Sequence, residues 1–123
     1  MGIKKRKILF ISILLLGGLL VSCSKINDMR LEKLEESIEK LDQNYKDYTP
    51  EKLQKQIEHC EKKFEEFDQD DVKLSDSQRQ RLSNLKGKYH KTLIKIKIYS
   101  LTNIFSDGWS DVVEYLKGIL GGD

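Results

Sequence analysis

Apolar residues return every three and four positions along most of this chain, and that period limits the folds open to it. From Leu31 they fall at Leu31, Leu34, Ile38, Leu41, Tyr45 and Tyr48, in steps of 3, 4, 3, 4 and 3. A second series runs Leu53, Ile57, Cys60, Phe64 and Phe67, and a third Leu82, Leu85, Tyr89, Leu93 and Ile96. Such a seam puts one apolar stripe on a helix and leaves the rest wet. Leu93–Ile98 instead alternates with the period of a strand. No second strand-like run exists in the chain to pair with it, and an isolated strand is not stable, so the run reads as helix. The expected fold is all-α: a small antiparallel bundle, built as a coiled-coil-like hairpin plus a third helix and an amphipathic C-terminal helix.

Local signals set the boundaries. Pro50 disfavours helix at Thr49 and suits the first position of a new one, with Thr49 as N-cap and Glu51 near the positive end. Asp68-Gln69-Asp70-Asp71 breaks the second seam, and Ser75-Asp76-Ser77-Gln78 is a capping box. Helices are therefore expected at about 29–47, 50–67, 76–100 and 106–120. The last follows Phe105, Trp109, Val112, Val113, Leu116, Ile119 and Leu120, a stripe expected to cap the bundle.

The first residues follow a different logic. Lys4, Lys5, Arg6 and Lys7 precede Ile8–Val21, a run of 14 residues that is apolar apart from Ser12, Gly17 and Gly18. As a helix it would span roughly 21 Å, short of the roughly 30 Å hydrocarbon core of a bilayer, so a signal-peptide core fits better than a membrane span. Leu20-Val21-Ser22-Cys23 resembles the lipobox of bacterial lipoproteins. The resemblance implies a signal peptide over 1–22, cleavage before Cys23, and a diacylglyceryl group on the Cys23 sulfur. An anchor and short linker would then cover 23–29, and the helical domain 30–123. Two or three acyl chains hold a protein stably on a membrane without a spanning helix. Ser24 follows the cysteine where aspartate would favour the inner membrane, and no acidic cluster follows to direct the protein to the cell surface. The expected location is the cell envelope, on the periplasmic face of the outer membrane.

Together with the lipobox, Leu34–Asp42 (LEESIEKLD), Tyr48–Glu51 (YTPE), Lys63–Glu66 (KFEE) and the Leu85-x-Gly87-x-Tyr89 pattern make the chain similar to small helical lipoproteins of unknown function from Bacteroidota. That resemblance implies location and helical architecture, and no site residue beyond Cys23.

Charge narrows the partners. Charged residues make up 34% of the chain, with a net charge of +2, but the four leader cations account for more than that excess. The remainder is mildly acidic, which argues against nucleic-acid binding. Residues 24–75 carry 10 basic and 15 acidic side chains, and residues 76–123 carry 8 and 5. Arg79, Arg81, Lys86, Lys88, Lys91, Lys95 and Lys97 follow one another with no acid between them. This basic helix is expected to complement the acidic hairpin. The alternative is a cationic face that, with the amphipathic tail, binds an anionic envelope surface of lipid, lipopolysaccharide or peptidoglycan.

Little in the chain suggests catalysis. Cys60 sits on a seam and reads as core. His59 and His90 lack ligand partners at helical spacing, so both read as solvated surface groups. An EF-hand loop opening at Asp68 would need an oxygen ligand at Val72 and glycine at Lys73, and has neither. There is no phosphate loop and no nucleophile elbow. No catalytic, metal or cofactor-binding residue is expected, and no cofactor. The expected function is that of a membrane-anchored, non-enzymatic interaction or structural module, engaging a protein partner or itself through heptad seams.

Overall fold

A computed structural model of the chain describes residues 24–69 and 72–121. Of these, 85% are helical and none lies in a strand, so the all-α bundle is what the chain forms. The leader, the apolar run and Cys23 fall outside the described residues, as do Asp70 and Asp71.

Helix α1 covers residues 24–44 and passes into a 3-10 turn at Tyr45–Asp47. It is helical well before residue 29, which corrects the expected linker over the described part of 23–29. The cause is tertiary. Buried Asn27 donates from Nδ2 to the Lys73 carbonyl at 3.0 Å. Gln78 Nε2 donates to the Ser24 carbonyl at 3.1 Å and to Asp28 Oδ1 at 2.8 Å. These bonds fasten the first turns of α1 to the segment that opens the third helix.

Helix α2 (Pro50–Glu65) starts as its sequence requires, with Thr49 Oγ1 accepting from the Lys52 N–H at 3.2 Å. It ends in a 3-10 turn, Glu66–Asp68, that turns Phe67 inward. Helix α3 (Asp76–Thr102) opens on a complete capping box. Ser75 Oγ accepts from the Gln78 N–H at 3.2 Å, and Gln78 Oε1 accepts from the Ser75 N–H at 2.9 Å. Helix α4 (Trp109–Leu120) begins later than residue 106, because Gly108 stands at φ 88° and turns the chain there. Phe105 consequently lies in the turn, fully exposed, and does not join the α4 stripe.

Side-chain contacts fix the directions. Glu35 meets Arg81, Glu39 meets Lys88, and Asp42 meets Lys95, so α1 and α3 run parallel. Phe67 and Leu82 line one groove at one end of the bundle, while Pro50 lies against Gly108 at the other, so α2 is antiparallel to both. Helix α3 is the hub. Tyr89 packs on Phe64 of α2 with ring centroids 5.0 Å apart, and its hydroxyl donates to the Ile57 carbonyl at 3.3 Å. Tyr99 meets Trp109 of α4 edge-on at 5.3 Å. The three seams converge in one core with Val112 and Leu116 of α4. Each fully buried aliphatic side chain there contributes about 1.5–3 kcal/mol of transfer free energy before entropy is counted.

Candidate functional site

The seven basic residues expected to form one face divide into three groups. Arg81, Lys88 and Lys95 recur every seven residues and point at α1. Arg81 reaches Glu35 at 2.9 Å, Lys88 reaches Glu39 at 3.2 Å, and Lys95 reaches Asp42 at 3.0 Å. Arg79 pairs within its own helix with Asp76 at 2.9 Å. Lys86, Lys91 and Lys97 have no ion-pair partner among the described residues. The acidic hairpin therefore pairs with three of the cations, which stay partly exposed. Each such pair, half exposed, contributes only about 0.2–1 kcal/mol. Together they favour the parallel register of α1 on α3.

Asp42 is the best-held member of the row. The Lys95 hydrogen bond, backed by Thr92 Oγ1 at 3.1 Å, keeps its carboxyl below the usual aspartate range despite some desolvation. A carboxylate with a depressed folded pKa stabilises the fold above its unfolded pKa of about 3.9. That contribution is lost as pH falls through the lower folded value. Urea midpoints of the native protein and of Asp42→Asn are therefore expected to differ at pH 6 and converge under strong acid. A gap that does not change with pH would remove the charge from this explanation.

Groups able to do chemistry are either buried and protonated or isolated. Burial, with Glu61 adding to it, pushes the Cys60 thiol up to about 12. Thiolate is the reactive form. Cys60 in the native fold is therefore expected to resist a maleimide at pH 8 and to label quickly in urea, as mapped by peptide mass. Rapid native labelling would contradict its place in the core. Burial likewise raises the Tyr89 hydroxyl. Tyr115 is pushed up to about 12, by burial first and then by Glu58, Glu61 and Glu65 on α2. His59 and His90 are exposed, and no cluster of potential metal ligands occurs among the described residues. The largest groove described, about 720 Å³, is an open trough lined by Phe67, Leu74, Leu82, Arg79 and Lys86. It brings no acid–base pair together.

The surface feature that the sequence reading passed over is on the far side of α3. Leu93 and Ile96 of the alternating run face the core, whereas Ile94 and Ile98 face solvent. Leu101 continues their line at helical spacing, and Phe105 follows in the turn. The run of isoleucines that suggested a strand thus supplies both faces of one helix.

No protein-family model, curated protein or solved structure matches this chain. Function must be argued from its own residues. No helix among the described residues is long and apolar enough to cross a membrane. Cys23, the residue expected to carry lipid, lies outside the described residues.

Proposed function

We propose that this chain is a lipid-tethered, non-enzymatic helical module of the bacterial cell envelope, held at the periplasmic face of the outer membrane. One observation carries the tether: Leu20-Val21-Ser22-Cys23 stands directly behind a basic start and an apolar run too short to span. Acyl chains on Cys23 supply the membrane attachment that the described helices lack.

The bundle supports a role in interaction or scaffolding. Its interior is spent on packing, and the buried polar residues among the described ones are Asn27, Gln78, Thr92 and Ser100, none an acid or a base at neutral pH. Acid–base work needs a perturbed group poised near the operating pH, and Cys60 and Tyr89 are shifted away from it. The heptad seams close on one another, so a partner would meet the outer surface and not an open seam.

Inhibiting lipoprotein signal peptidase in the bacterium that makes the protein tests the tether. A precursor heavier by the 22-residue leader is expected to accumulate. An unchanged mass, or a precursor processed elsewhere, would overturn the reading.

A further inference from the structure

We propose that the outer face of α3 and the turn after it dock on an anionic lipid bilayer, with Ile94, Ile98, Leu101 and Phe105 entering the interface and Lys91 and Lys97 meeting lipid phosphates. The proposal rests on the tethered-module reading, because a weak surface affinity suffices for a protein already held at the membrane.

Exposure is the first support. Ile94, Ile98 and Leu101 are 41%, 60% and 46% exposed, and Phe105 is wholly so. Ile94, Ile98 and Leu101 follow one another at steps of 4 and 3, a ridge on a helix whose opposite face is core, and Phe105 lies past the helix end in the turn. Isolated exposed aliphatics need no explanation, but three on one helix face with a fully exposed aromatic in the turn just beyond mark an interaction surface.

Charge selects the occupant. Between Asp76 and Asp107 the chain has no acid, so every charge that α3 itself carries beside the ridge is positive, and the next acid along the chain is Asp107 in the turn. Lys91 flanks the ridge on one side and Lys97 on the other, each three residues from Ile94, and neither has an ion-pair partner among the described residues. Apolar insertion with flanking lysines is the pattern of helices that lie in an anionic membrane interface. A second copy packed symmetrically on the ridge would set lysine against lysine. A partner helix would want a groove, and none of the grooves described here is lined by any ridge residue. A convex ridge suits a deformable lipid surface.

Trp109 is the only tryptophan, buried under Tyr99, so a second indole can report on the ridge. The full-length chain and its Phe105→Trp variant would be reconstituted in vesicles of brominated phosphatidylglycerol and of brominated phosphatidylcholine. In phosphatidylglycerol the variant is expected to lose most of its added emission to bromine quenching. In phosphatidylcholine, or with Ile94→Glu and Ile98→Glu also present, it is expected to keep that emission. Both glutamates replace exposed residues, so the thermal midpoint should hold and the helix signal remain. Absent quenching in phosphatidylglycerol, equal quenching in both lipids, or quenching that survives the double substitution would overturn the proposal. So would sedimentation showing a dimer that the glutamates dissolve while lipid leaves the emission unchanged. The mass of the reconstituted protein shows whether Cys23 carries lipid, so a failure of the tether is read separately from a failure of docking by the lipidated protein.

Discussion

Ile38→Ala is expected to destabilise the bundle by about 2–5 kcal/mol, whereas Ile98→Ala should stay within about 0.5 kcal/mol of the parent. The two substitutions remove the same atoms from residues of the same type. Ile38 is 0% exposed, where the α1 seam enters the common core, and Ile98 is 60% exposed on the far side of α3. Truncating Ile38 loses transfer free energy and leaves a cavity that the surrounding core closes only in part. A domain of this size has only about 5–15 kcal/mol in all, so its urea midpoint should fall steeply. Equal effects at the two positions would mean that α3 is rotated from the orientation described here.

The second large effect is expected at the joint between α3 and α4. Trp109 is buried and meets Tyr99 edge-on at 5.3 Å, and Tyr99 in turn meets Tyr45 edge-on at 5.6 Å. This row of rings ties the C-terminal helix, the hub and the end of α1 together. Trp109→Ala is expected to cost about 3–5 kcal/mol. It should also open residues 103–108 to proteolysis, since α4 loses its largest buried side chain. A smaller loss, about 1–3 kcal/mol, is expected for Gly108→Ala, whose Cβ would sit at φ 88° and 3.1 Å from the Pro50 Cβ. If chymotrypsin, which can cut after Phe105 in that segment, cuts the Trp109 variant no faster than the parent, the aromatic row is not what holds α4.

Much of this architecture was legible in the residues, because much of it is set locally. Leu31, Leu34, Ile38 and Leu41 are buried where a three-four spacing puts them. Thr49, Pro50, Ser75 and Gln78 cap the helices that their chemistry suits. Features set by tertiary contact were not legible. The helical state of residues 24–29 depends on bonds from Asn27 to Lys73 and from Gln78 to Ser24 and Asp28, across at least 46 positions of sequence. The late start of α4 depends on the left-handed turn at Gly108, which freed Phe105 from the stripe it matches by spacing. The basic row on α3 was visible as composition, but which cations meet α1 follows only from the parallel register of the two helices. The outer ridge was hidden for the same reason. Ile94 and Ile98 sit beside Leu93 and Ile96 in sequence, and only the packing of α3 separates an inward pair from an outward one.

Mass spectrometry of the N-terminal peptide from membranes of the bacterium that makes the protein tests the tether most directly. The expected peptide begins at Cys23 and carries a diacylglyceryl thioether on its sulfur. It should partition with the outer-membrane fraction. A peptide beginning at any other residue, or one beginning at Cys23 with a free thiol, would contradict the lipid-tethered module and require a different account of how this bundle reaches a surface.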